Sequence, residues 1–392
     1  MRKLFVVLSF VMVASMLLSA CGTAATTAAP VEPATVAPAP AATEVPPAAT
    51  AVPVATGPKS KDPTTLTLAD SDVSIDTLDP ALAYDTASGE IIQNTYDTLI
   101  FYDGSKLDTF VPLLADKWTV SADGKTYTFN IHPGVKFHNG DVLTATDVAY
   151  SFQRGLLQAG SASPQWLLSE PFFGVGNQDV TTVIDPSGAL QDDRAGLAKA
   201  DPAKVKAACT TVQAAIVADD AAMTVTMTLA TPWGPFLATV AQSWGSIMDK
   251  KWVAANKGWD GSCDTWQTFY GVASADDPFS AIENGTGPFV LTSLKQGEVY
   301  TLDSFPGYFK GEAKLKHIVA KAVPEWGTRF AMMQAGDADM ATVPAANRSR
   351  WMPWSVRSAY TMSTRVLTIP APQQIRPSLS AFSLACRPFR RM

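Results

Sequence analysis

The stretch KWTVSADGKTYTFNIHPGVKFHNGDVLTATDVAYSF, residues 117–152, leaves this chain few ways to fold. Trp118 and Val120 alternate with polar residues, Asp123-Gly124 is a turn pair, and Tyr127, Phe129 and Ile131 alternate again. Such a pattern predicts a β-hairpin with one buried face. His132-Pro133-Gly134 makes a corner, Val135-Lys136-Phe137 a short strand, and Asn139-Gly140 a second turn. A helix is expected over 146–158, with Val148, Ala149, Phe152 and Leu156 on its apolar face. The corner also collects His138, Asn139, Asp141, Asp147 and Tyr150, the residue types of an active site. Each acid has a plainer duty, because residues 144–147 read as a helix start whose side-chain oxygens satisfy free backbone N–H groups. The corner is therefore read as structural.

The same reading extends along the chain. A strand is expected from Thr64 through TTLTLA, and a turn at Asp79-Pro80. Ile91, Ile92, Thr95, Tyr96 and Leu99 keep helical spacing and predict a helix over 87–100. Asp201-Pro202 opens another helix with an N-cap followed by Pro, whose apolar face is Val205, Cys209, Val212 and Ile216. AMTVTMTLA alternates strictly and predicts a strand with Met223, Val225, Met227 and Leu229 on one face. Residues 245–285 read as loop-rich and carry Trp252, Trp259 and Trp266. Beyond them come strand, turn and strand, a further strand in KLKHIVAKAV, a helix ending in Gly, and a strand start at DADMATV. The fold class is mixed α and β, without a long βαβ run or an internal repeat.

Composition divides the chain. Residues 348–392 hold eight Arg and no Lys, Asp or Glu, a charge of +8; residues 1–347 hold 22 bases and 36 acids, 22 − 36 = −14. One folded domain is not expected to change composition so sharply. The summed charge of −6 argues against a nucleic-acid partner. At the other end, MRKLFVVLSFVMVASMLLSAC has a basic start, an apolar run and small residues before Cys21, the pattern of an export signal. Residues 22–62 are rich in Ala, Pro, Thr and Val, and predict an extended disordered spacer. Export permits a Cys209–Cys263 disulfide; two buried free thiols are the alternative. No cysteine or histidine cluster suggests a metal, and no cofactor is expected.

Several segments together resemble the family 5 extracellular solute-binding proteins, the peptide- and nickel-type receptors of ABC importers. They are LDP (78–80), YDTLI (96–100), the block 112–152, TLATPWGPFL (228–237), GTGPFVL (285–291), PGYFKG (306–311) and GDADM (336–340). Leu18-Ser19-Ala20-Cys21 resembles a bacterial lipobox, which implies cleavage before Cys21 and lipid attachment to its thiol; a plain secretory signal is the alternative.

The resemblance implies a two-lobed, type II periplasmic-binding-protein-like fold that closes on a peptide or similar small solute and docks on a membrane permease driven by an ATPase. It implies an exported, lipid-anchored, monomeric receptor and no catalysis. The expected organisation is signal peptide 1–21, linker 22–62, first lobe 63–290, the start of a second lobe at 291–347, and an aberrant tail 348–392, read as frameshifted after likeness stops near Asn347. In relatives the segment after LDP lines the cleft, which here means Tyr84, Asp85 and Thr86; Trp166, Trp244 and Ser246 are further candidates for ligand contact. Two other readings remain open: a truncated remnant of such a receptor, and an exported hydrolase needing a carboxylate pair or a Ser/His/Asp set.

Overall fold

The computed structural model describes residues 60–158, 160, 163–174 and 176–347. The expected signal, Cys21, nearly all of the spacer and the Arg-rich tail lie outside the described residues. The last spacer residues that are described join the folded body. The Lys61 amide donates to the Gly336 carbonyl, and Asp62 accepts from Thr64.

In chain order the elements are β1 (Thr65–Asp70), α1 (Thr86–Thr95), β2 (Ile100–Tyr102), β3 (Phe110–Pro112), β4 (Ala115–Val120), β5 (Thr126–Ile131), α2 (Ala145–Gln158), α3 (Trp166–Phe173), α4 (Pro202–Ala215), β6 (Ile216–Asp219), β7 (Thr224–Thr228), α5 (Phe236–Val240) and α6 (Lys250–Ala255). They continue with β8 (Phe289–Lys295), β9 (Val299–Ser304), β10 (His317–Ala322), α7 (Trp326–Ala335) and β11 (Met340–Ala341). Two helical turns, Thr181–Ile184 and Arg194–Leu197, lie between α3 and α4.

The hairpin is β4–β5, with Trp118 opposite Phe129 and Val120 opposite Tyr127. β7 adds to β5 and β6 to β7, giving a four-stranded sheet in the order β4-β5-β7-β6. Phe129, Ile131, Val225 and Met227 point inward and are fully or almost fully buried, as the alternation requires. α2 covers this face with Val148, Phe152 and Leu156. Asp201 caps α4 through the Ala203 amide, and Cys209 on α4 is joined to Cys263 with a Cα–Cα distance of 5.4 Å.

A five-stranded sheet runs β11-β1-β10-β9-β8. β1 lies parallel to both of its neighbours, β10 and β11. β10–α7–β11 is thus a single crossover that straddles β1, and Gly336 ends α7 in the left-handed conformation. The boundary anticipated between 290 and 291 falls inside β8, and β1 hydrogen-bonds to β10. Residues 65–70 and 289–341 therefore share one sheet, so that boundary marks no break between sheets.

Three local expectations shift. α1 stops at Thr95 rather than 100, because Tyr96 turns extended. The Thr95 carbonyl, which would have continued the helix, accepts instead from the Gly287 amide. Glycine is needed there: a Cβ at Gly285 would stand 2.0 Å from that carbonyl oxygen, and one at Gly287 would stand 2.5 Å from its carbon. Lys136 makes only an isolated bridge to Val142 rather than a strand. The loop-rich segment contains α6, capped by Asp249 through the Lys251 and Trp252 amides.

Candidate functional site

The LDP corner is built around a buried ion pair. Both Asp79 oxygens accept from the Arg154 guanidinium, one of them at 2.7 Å, and the Ala81 amide donates to the same carboxylate. Arg154 also lies 5.2 Å above the ring of Phe279. Burial, helped by the charge of Asp79, raises the Asp277 carboxyl to about 6. The Leu82 and Ala83 amides close back onto the Asp79 carbonyl. These bonds leave the next three residues, Tyr84, Asp85 and Thr86, at the surface end of a rigid turn, where α1 begins.

Asp85 caps α1: its Oδ1 accepts from the Ser88 amide at 2.8 Å. Its Oδ2 is buried and has no hydrogen-bond partner among the described residues. Thr86 is exposed. Tyr84 is 53% exposed, and its ring meets Trp244 edge to face, with centroids 6.4 Å apart. Trp244 belongs to a short 3-10 turn, Ser243–Gly245, which packs on α1. Its indole Nε1 is likewise buried without a partner. Ser246 closes that turn, is buried, and donates its amide to the Ser243 carbonyl.

Thus Tyr84 and Trp244, distant in sequence, meet beside the start of α1. Trp166 opens α3 and is half-buried. It is linked to the corner through Gln165, whose Nε2 donates to the Trp244 carbonyl at 3.0 Å. Gln165 carries no sequence signal beyond its place beside Trp166. Of the other tryptophans, Trp259 and Trp266 are fully buried. Their indoles donate to the Ser262 and Val205 carbonyls, so they belong to the core.

The His138 corner is a packed joint. His138 Nδ1 lies 2.9 Å from Glu283 Oε2, and Nε2 lies 3.1 Å from the Gly287 carbonyl. Both partners are acceptors, so both ring nitrogens carry protons. Burial disfavours that charge, but the Glu283 carboxylate and the Gly287 carbonyl outweigh it, and the His138 pKa is raised. Asp147 holds the Thr144 and Lys250 amides. Among the described residues no group of three or more His, Cys, Asp or Glu could hold a metal ion, and no helix is long and apolar enough to cross a membrane.

An open concavity of about 490 Å³ lies elsewhere, lined by Gly297–Val299 and Lys321–Pro324. A smaller one of about 110 Å³ lies beside Cys263. Neither includes Tyr84 or Trp244.

The family model for bacterial extracellular solute-binding proteins, family 5 Middle, matches residues 109–360, past the point where the sequence reading placed the end of the likeness. The dipeptide-binding protein DppE of Bacillus subtilis is 28% identical over 268 residues, 68% of this chain and 41% of the relative. The glutathione-binding protein GsiB of Pectobacterium atrosepticum is 26% identical over 67% of this chain and 39% of its own length. The solved structure of OppA from Burkholderia pseudomallei superposes with a TM-score of 0.53 at 20% identity, covering 75% of this chain and 49% of that one. At that identity the likeness shows the fold, that of the periplasmic binding proteins. The chain spans about two fifths of the length of the curated relatives it matches.

Proposed function

The chain belongs to the bacterial extracellular solute-binding proteins of family 5, a family of binding proteins rather than enzymes, and on that premise we propose that it is a receptor for a short peptide or comparably small solute. It captures this ligand and delivers it to the permease of an ABC importer. The family match carries the reading, and the relatives named for dipeptides and glutathione support the ligand class. Tyr84, Asp85, Thr86 and Trp244 are the contacts offered from the described residues, with Trp166 and Ser246 beside them. The chain is exported, and Cys21 bears the lipid that holds it at the membrane.

Binding to the folded state stabilises it by RT ln(1 + [L]/Kd), about 2.7 kcal/mol at a hundredfold excess over Kd. Thermal melting with a panel of di- and tripeptides and glutathione therefore tests the proposal. A melting temperature that rises with concentration of at least one of them is expected. No rise with any of them up to millimolar levels refutes the ligand class. Mass spectrometry of the membrane fraction tests the anchor: an acylated N-terminal Cys21 is expected, and an unmodified one refutes it.

A further inference from the structure

We propose that Cys263 is the sulfur at which a small thiol opens the Cys209–Cys263 bridge, and that the mixed disulfide forms there; this goes beyond the receptor reading and does not depend on it. The two sulfurs differ in access. Cys209 sits on α4 with no exposure, inside the main apolar core. Cys263 is half-buried and lines the hollow of about 110 Å³; Cys209 is not among the residues that line it. Leu197, Ala200 and Val205 belong to the apolar part of the wall, and Lys206 and Asp264 carry its charges. The Lys206 and Asp264 side chains are 58% and 69% exposed, so the hollow reaches solvent. They pair at 2.8 Å, which leaves the wall without a net charge to repel an arriving thiolate.

Access decides which sulfur of a disulfide a thiolate attacks. Here the incoming sulfur bonds Cys263 Sγ, the bond between the two cysteines breaks, and its electron pair leaves with Cys209 as a thiolate. The hollow is well below the roughly 300 Å³ of ordinary ligand pockets, so the reagent it takes is a small thiol. Apolar surroundings disfavour the charge of the departing Cys209. Cys209 therefore takes up a proton, or returns its electron pair to Cys263 Sγ, expels the small thiol and restores the bridge. Between the two cysteines run β6, β7, α5, the Trp244 turn and α6, so the exchange unties and reties the ends of that whole segment.

The test uses the full 392-residue chain, treated with L-cysteine under native conditions and quenched with acid. N-ethylmaleimide then blocks free thiols, and peptide mass mapping reads each site, which keeps Cys21 and Cys386 apart from the pair. Cysteine attached at Cys263, with maleimide on Cys209, is expected in about tenfold or greater excess over the reverse arrangement. If reduction runs through to two free thiols before an adduct is trapped, Cys209→Ser and Cys263→Ser decide the matter, each first checked for native circular dichroism. Exposed to cystine, the thiol of Cys263 in the first is expected to take up a cysteine about tenfold faster than that of Cys209 in the second. An adduct mainly at Cys209, adducts shared equally, equal rates in the two variants, or a bridge that cysteine opens only in denaturant each overturns the proposal.

Discussion

Replacing His138 by Leu isolates one buried charge pair. In the folded chain the imidazolium bonds Glu283 on one side and the Gly287 carbonyl on the other, with Phe305 edge-on, centroids 4.9 Å apart. Side-chain exposure is 5% for His138 and 2% for Glu283, so water does little to screen the pair. Removing one member of a buried pair costs about 3–5 kcal/mol, because the other charge stays buried. Glu283 keeps the Gly285 and Leu291 amides, which argues for the lower end, about 3 kcal/mol. At roughly 2–4 °C per kcal/mol the melting temperature falls by about 6–12 °C.

The pH dependence carries the sharper test. The folded pKa of His138 is raised above its unfolded value, with Glu283 and Asp97 as the neighbouring charges. Its contribution is therefore fully present below the unfolded value of 6.5 and is lost as pH rises through the folded one. The gap between wild type and His138→Leu in urea unfolding is wide near pH 6 and narrows toward pH 9. Groups distant from the pair titrate alike in both proteins and cancel in the difference; Glu283, left unpaired by the substitution, does not, and its protonation in the variant narrows the gap only toward low pH. A gap of constant size across that range would show that His138 acts through packing alone and refute the charged pair.

Two further outcomes follow from the described contacts. Burial, with the charge of Asp70, raises Glu90 from 4.5 to about 7, so wild type loses stability as pH rises through that interval; Glu90→Gln should gain up to about 3 kcal/mol above pH 7 and nothing near pH 4, read from urea midpoints. Reducing Cys209–Cys263 opens a loop of 54 residues' separation and should cost about 4 kcal/mol by chain entropy, seen as a lower melting temperature in reductant; no change, with two thiols titrating, would exclude a stabilising bridge.

What the sequence revealed follows contact distance. The hairpin, its Asp123-Gly124 turn, α2 and α4 are decided by neighbours within a few residues, and alternation and caps announce them. The end of α1 is decided by Gly287, almost two hundred positions later, and helical spacing through Leu99 gave no hint of it. Trp259 and Trp266 lie in a segment read as loop-rich, yet carbonyls of Ser262 and Val205 hold them in the core. Tyr84 and Trp244 were each named, but their edge-to-face meeting and the spare atoms of Asp85 and Trp244 exist only in three dimensions. The sheet shared by β1 and β8–β10 is hidden for a related reason: nothing local in β1 declares that its partner is β10.

That partnership also sets an order of assembly. Thr65 pairs with His317, whereas Val120 pairs with Tyr127 across the hairpin. Closing the longer loop costs about 3 kcal/mol more in chain entropy. A ribosome releasing this chain delivers β1 first and its two neighbours last. Through most of synthesis, a strand destined for the middle of a sheet has nothing to pair with. Translocation in an unfolded state suits such a chain, since its earliest strand cannot settle until its latest ones arrive.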